Sequence, residues 1–187
     1  MVNMGLIRSI KNIQKYDPSA RHTLDILLTS TGLHAIWLYR IAHLFWVIRL
    51  KLIARMLMNV TRFLTGIEIH PAAQIGKGFV IDHGMGVVIG ESTRIGDDVL
   101  IYQGVTLGGT GNISDTKRHP TICSHVMIGA GAKILGDIKV GPGARVGANA
   151  VVLKNVPDGA TAIGIPARFI EKEGITPQEC SLTIKDA

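Results

Sequence analysis

The chain has 187 residues, 47% of them hydrophobic, and a formal net charge of +6. That composition provides for one buried core with an appendage and excludes both a disordered chain and a small disulfide-stapled one. The charge does not form a nucleic-acid patch: residues 1–65 hold nine Lys and Arg against two Asp, spread at helical spacings, whereas residues 66–187 hold eleven against twelve acids. A solvated helix face or a subunit contact is the expectation, with neither nucleic acid nor membrane as partner.

In chain order, residues 5–15 and 19–29 show helical periodicity, with Asp17-Pro18-Ser19 as turn and helix start. Beyond Gly32, a longer helical stretch carries Leu33, Ile36, Trp37, Ile41, Leu44, Phe45, Ile48, Leu52 and Leu57 on one wide apolar face. His34, Arg40, His43, Arg49, Lys51, Arg55 and Arg62 interrupt residues 33–64, so no membrane-spanning run is expected. The first residues lack the apolar core of a signal peptide. Cys123 and Cys180 offer neither a framework nor a metal-ligand spacing. They read as reduced thiols of a cytoplasmic protein, with Cys123 packed inside.

From residue 69 the apolar residues fall every six positions: Ile69, Ile75, Ile81, then Ile89, Ile95, Ile101, Leu107, then Ile122, Ile128, Ile134, Val140, Val146, Val152. Gly follows many of them, where a Cβ would hinder the turn. This is the pattern of a hexapeptide-repeat parallel β-helix, three repeats to a triangular coil of about 18 residues. The predicted organisation is α+β: a helical region over 1–65, the β-helix over 66–170 with a loop projecting over 108–121, and a polar tail over 171–187.

The rhythm slips twice. Ile81 to Ile89 spans eight residues, absorbing two extra around Asp82-His83-Gly84-Met85-Gly86, and Leu107 to Ile122 spans fifteen, expelling nine. A packed solenoid expels insertions, so the nine-residue loop projects, and both breaks carry histidine: His83 in one, Arg118-His119 in the other. Lying little more than one coil apart, they are expected to line one cleft. An imidazole titrates near pH 6.5 and suits a general base, oriented by a carboxylate on its far nitrogen. Glu68, roughly one coil below His83, is placed for that; Asp82, adjacent in sequence, points away on a strand. No nucleophile elbow, phosphate loop or paired cysteine ligands occur.

Several segments together resemble the serine O-acetyltransferases of cysteine biosynthesis. They are Asp17-Pro18-Ser19-Ala20, Gly32-Leu33-His34-Ala35, Gly66-Ile67-Glu68-Ile69-His70-Pro71, Asp82-His83-Gly84-Met85-Gly86, Thr106-Leu107-Gly108-Gly109-Thr110-Gly111 and Arg118-His119-Pro120. The resemblance implies a left-handed β-helix, a homotrimer, and acetyl-CoA bound as co-substrate between neighbouring subunits, with no metal. Position by position it makes His83 the base that deprotonates L-serine and Glu68 its partner. Asp17 and Asp82 become ligands of the serine ammonium, and Arg118 and His119 ligands of its carboxylate. Gly109 and Ala130 match positions approaching the coenzyme; Lys133, Lys139, Arg145, Lys154 and Arg168 are candidate phosphate contacts. Two departures stand out. The helical region is shorter than in many members, so a dimer of trimers is not implied, and the chain ends in Ala187 where many end in isoleucine, so docking into cysteine synthase is not implied. Competing readings are acetylation of another hydroxyl, such as a sugar's, a zinc hydratase built on His83, His119 and His125, and a non-catalytic scaffold docking through the basic helices.

Overall fold

The computed structural model describes residues 2–18, 20, 22–111, 117–171 and 180. Four helices come first: α1 (Val2–Tyr16), α2 (Thr23–Thr29), α3 (Thr31–Val47) and α4 (Lys51–Thr65). The second begins four residues later than its periodicity predicts. The long stretch expected after Gly32 is two helices, because the chain reverses at Arg49, whose φ is 70°. There the Leu50 N–H donates to Phe45 O at 2.9 Å and the Arg49 N–H to Trp46 O at 3.1 Å, the left-handed helix stop that glycine usually supplies. With arginine in that role, nothing in the apolar spacing announces the break.

The strands are β1 (Glu68–Ile69), β2 (Gln74–Ile75), β3 (Val80–Ile81), β4 (Val88–Ile89), β5 (Arg94–Ile95), β6 (Leu100–Ile101), β7 (Thr106–Gly108), β8 (Thr121–Ile122), β9 (Met127–Ile128), β10 (Lys133–Leu135), β11 (Lys139–Val140), β12 (Arg145–Val146), β13 (Val151–Val152), β14 (Thr161–Ile163) and β15 (Arg168–Ile170). They stack into three flat faces of a left-handed β-helix. Face one is β1-β4-β7-β10-β13 and face two is β2-β5-β8-β11. Face three is β3-β6-β9-β12-β14, closed by antiparallel β15. The chain turns at three edges: the first between faces one and two, the second between two and three, the third between three and one. Every in-phase residue from Ile69 to Val152 is buried along the axis.

The register fixes the insertions. Val88 pairs with Thr106 and Lys133 with Val151, coils of 18 residues, whereas Glu68 pairs with Val88 after 20 and Thr106 with Lys133 after 27. The glycines that follow the apolar beat serve a purpose other than the expected turn geometry. Gly76, Gly96, Gly129 and Gly141 have no left-handed φ. Instead, a Cβ at Gly96 would fall 2.7 Å from Ser124 N, and one at Gly129 2.7 Å from Ala148 N, both backbone atoms of the next coil. They are spacers that let one coil cross another.

The helices cap the open lower end, as a solenoid's first coil requires. The Tyr39 hydroxyl donates to Ala73 O, Arg40 donates to Ile75 O at 2.6 Å, and His43 Nδ1 lies 2.8 Å from Pro71 O. Burial pushes the Tyr39 phenol well above its ordinary range. Helix α1 docks on the second edge, where Arg8 Nε donates to Asp98 at 2.8 Å and Asn12 to Gly78 O at 2.7 Å. Part of the leading segment's positive charge is thus engaged with the solenoid. No described helix is long and apolar enough to cross a membrane.

The cysteines correct an expectation. Cys123, buried beside β8, is disulfide-bonded to Cys180, with Cα atoms 5.3 Å apart. A separation of 57 residues carries no spacing signature, so the pairing was not visible in sequence. Apart from Glu171 and Cys180, the polar tail and its final Ala187 lie outside the described residues, as do residues 112–116 of the projecting loop.

Gly96→Ala is expected to lower stability by about 1–3 kcal/mol through overpacking between coils. Gly5→Ala, in α1 with nothing within 4 Å of the new Cβ, is expected to be neutral or to add about 0.5–1 kcal/mol. Urea unfolding of both variants checks the contrast.

Candidate functional site

A cleft of about 300 Å³ opens where α1 to α3 meet the third edge, and Asp17, Asp82 and His83 line it together with Tyr16, Asp25 and Thr31. Its floor depends on Gly32 at the start of α3: a Cβ there would lie 2.0 Å from Ile81 O, so only glycine lets the helix approach β3 so closely.

On the third edge the ordinary turn is two residues with the second left-handed, as at Gly86, Gly104, Gly131 and Asn149. Coil follows coil through Gly104 N–H to Met85 O at 2.9 Å and Gly131 N–H to Gln103 O at 2.8 Å. The extra pair is His83-Gly84, with φ of 60° and 82°. A left-handed histidine is uncommon and costs roughly 1–2 kcal/mol. Here it turns the ring out of the coil and into the cleft wall. Above it the same edge carries Gly86, Gly104 and Gly131 on successive coils, each preceded in its turn by Met85, Gln103 or Ala130.

Glu68 lies at the foot of face one, just past this edge, its N–H donating to Val87 O at 2.9 Å. Its carboxylate is 3.0 Å from Arg62 of α4. Among the described residues the carboxylate is therefore held by α4, close to the histidine edge but paired with a guanidinium.

Arg118 and His119 are elsewhere. Their loop leaves face one after β7 and returns to face two at β8, which is the first edge. The shared cleft expected for the two breaks does not form within one chain, because the breaks follow beats on different faces: Ile81 closes face three, Leu107 face one. The bases of the loop are close together, an added Cβ at Gly109 falling only 3.4 Å from Arg118 O, and Lys117 Nζ ties the returning base to Asp137 at 2.8 Å.

His119 is 7% exposed and packs over Gly90, where a Cβ would fall 2.0 Å from a ring carbon. Its Nδ1 is 3.2 Å from Ser92 N and 2.8 Å from Ser92 Oγ. Nearby, Glu91 is 3.8 Å from Arg118, and His70 packs edge-on to Trp46 at 5.1 Å. Glu91 and Ser92 were not singled out in sequence, and His70 stood there only within a matched segment; a glycine followed by two polar residues at a corner is ordinary for this repeat. Burial holds the His119 imidazole below its ordinary range, aided by Arg118, and burial does the same for His70.

The other candidates are dispersed. Ala130 turns on the third edge and Gly109 on the first; Lys133 is on face one, donating to Gly104 O, Lys139 on face two, and Arg145 and Arg168 on face three. His83, His119 and His125 occupy the third, first and second edges, so they do not converge as a ligand triad within one chain.

Comparison with known proteins agrees with this architecture. Residues 119–154 match the family model described as bacterial transferase hexapeptide (six repeats). The chain is 54% identical over 170 residues to a serine acetyltransferase of Helicobacter pylori, covering 91% of this chain and 99% of that one. Among solved structures, the soybean serine acetyltransferase complexed with serine superposes with a TM-score of 0.88 at 43% identity, covering 90% of this chain and 69% of that one. A serine acetyltransferase in complex with CoA superposes with a TM-score of 0.85 at 46% identity, covering 90% and 69%.

A ring kept neutral by the fold stabilises it fully above the unfolded imidazole pKa of about 6.5 and loses that contribution as pH falls below it. NMR titration is expected to place His119 below the free-imidazole value. Gly90→Ala, which evicts the ring from its slot, is expected to return it toward that value; an unchanged titration in the variant would contradict the packing described.

Proposed function

The chain belongs to the serine acetyltransferase family, and we propose that it passes acetyl from acetyl-CoA directly to the hydroxyl of L-serine, giving O-acetyl-L-serine and coenzyme A. The observation that carries the reading is His83, turned by an extra left-handed pair into a cleft that also holds Asp17 and Asp82. Two carboxylates suit an ammonium, and the third edge runs on from the same histidine past Gly86, Gly104 and Gly131, where the thioester arm would lie. His83 takes the proton from the serine hydroxyl as the oxygen attacks the thioester carbonyl. The tetrahedral adduct collapses, the carbon–sulfur bond breaks, and the imidazolium returns the proton to the departing thiolate. Glu68, beside the same edge, is the proposed orienting carboxylate, shared with Arg62.

We further propose that the site is completed by a second subunit. An amino acid bound at His83 has acids for its ammonium but no cation for its carboxylate from the first edge of its own chain. A third edge meeting the first edge of the next copy brings Arg118 and His119 opposite His83, a guanidinium suited to grip the carboxylate in a fork. Because two different edges meet, the contact is heterologous; it closes as a ring, and three triangular prisms around one axis form that ring. The same junction gathers Gly109 with Ala130 and brings Lys133, Lys139, Arg145 and Arg168 to bordering faces, where coenzyme phosphates would meet cations. We place the reaction in the cytoplasm with its acyl-CoA substrate.

Thiol release from acetyl-CoA is expected to require L-serine; release equal with a sugar acceptor would favour the alternative substrate class. His83→Asn, which tolerates the left-handed backbone, is expected to keep the fold and to lose about 10²- to 10⁴-fold in turnover. Turnover near wild type would remove His83 from its role. Mixed oligomers of His83→Asn and Arg118→Ala subunits, each inactive alone, are expected to recover up to about a quarter of wild-type activity, because random mixing regenerates one intact junction in about four. No recovery would place both residues' contributions within one chain.

A further inference from the structure

Ser92 sits on the first edge between Glu91 and the buried Thr93, outside every motif that carries the family resemblance, yet three groups converge on its hydroxyl. The Arg118 N–H donates to Ser92 Oγ at 3.0 Å and the His119 N–H donates to it at 3.2 Å. The same oxygen is 2.8 Å from His119 Nδ1, and the Ser92 backbone N–H donates to that nitrogen at 3.2 Å.

The donor inventory settles the protonation pattern. A backbone N–H can only donate, so Nδ1 accepts and carries no proton; a neutral imidazole then has its single proton on Nε2. The two lone pairs of the serine oxygen are taken by the two loop N–H groups, which leaves the hydroxyl proton to point at Nδ1 as well. One hydroxyl thus anchors the backbone of both loop residues, and the backbone N–H of the same residue fixes the tautomer of one of them. Burial of the ring and the nearby Arg118 reinforce the neutral form.

From this we infer that Ser92 is a positioning residue for the serine carboxylate: it sets the place of Arg118 and presents His119 as a neutral Nε2–H donor. The inference rests on the proposed acetyltransfer, in which those two residues hold the carboxylate. It touches neither the base nor the third edge, so its removal weakens serine binding in ground and transition states alike. That signature is a raised serine KM at nearly constant kcat.

Thr and Val are nearly equal in shape and differ in the hydroxyl, which makes them the decisive pair. Ser92→Val is expected to raise the serine KM roughly tenfold, the order expected for lost buried hydrogen bonds, with the acetyl-CoA KM within about twofold of wild type. Ser92→Thr is expected to stay near wild type for both substrates. Three results would overturn the inference: a serine KM unchanged in the Val variant, both KM values rising together, or a Thr variant as impaired as the Val variant. Where Ser92→Val does not fold, Ser92→Ala is measured against Ser92→Thr by the same criteria. Wild-type enzyme without serine-dependent thiol release would sink the acetyltransfer reading. The Ser92 anchor is then judged by amide hydrogen exchange at Arg118 and His119, whose N–H groups donate to the Ser92 hydroxyl: slow in wild type and Thr variant, faster in the Val variant. Equal protection in all three would remove the anchor.

Discussion

Main-chain hydrogen bonding between successive coils is the constraint from which the rest of the structure follows. The inner strands are bonded above and below, with coil-to-coil bonds such as Val88 N–H to Val105 O at 2.9 Å and Gly96 N–H to Ile122 O at 2.8 Å. No single coil buries its apolar residues; the stack does, and only while Ile, Val and Leu stay in register on the axis. An extra residue on a face would shift every later side chain out of phase. It has to leave at an edge, and the edges are where polar chemistry can be placed without disturbing the core.

Two edges are used, in different ways. On the third, the insertion is as small as one can be while adding a full left-handed pair, and it reorients one side chain, His83. On the first, nine residues leave the coil and return, and the returning base is tied by Lys117 to Asp137 and by Ser92 to Arg118 and His119. The helices add the third component. By capping the lower coils they bring Asp17 over the third edge, and Gly32 lets α3 come close enough for the cleft to have a floor.

The sequence was legible wherever a periodic demand met a regular side chain. The in-phase Ile, Val and Leu residues located the core, and departures of two and nine residues in their spacing match the coils of 20 and 27 in the register. It was misleading where geometry is set by something other than side-chain type. Arg49 ends a helix in a conformation that glycine ordinarily marks, so two helices looked like one. The disulfide joins positions with no motif between them. The cleft expected to unite His83 with Arg118 and His119 failed for a reason that counting would have revealed: beats taken in threes put Ile81 on face three and Leu107 on face one, so the breaks that follow them open on different edges. Ser92 gave no signal, because its role depends on a loop that enters the fold 26 residues later.

The glycines that follow many of the beats link the stacking rule to the site. Above Gly76 the position a Cβ would take is filled by the backbone of Gly96, above Gly96 by Ser124, and above Gly129 by Ala148. Above Gly90 it is filled by the imidazole of His119. The expelled loop has placed a side chain in a slot that the repeat otherwise reserves for the next coil. The ring is therefore as confined as a piece of solenoid backbone, which explains how a residue at the base of a projecting loop can be 7% exposed and hold one tautomer. An insertion that left the coil without returning a group to that slot would leave a void over Gly90, and the loop would lose its contact with the stack. Confinement of this kind comes from close packing against rigid backbone, which tolerates no void larger than a water molecule without cost.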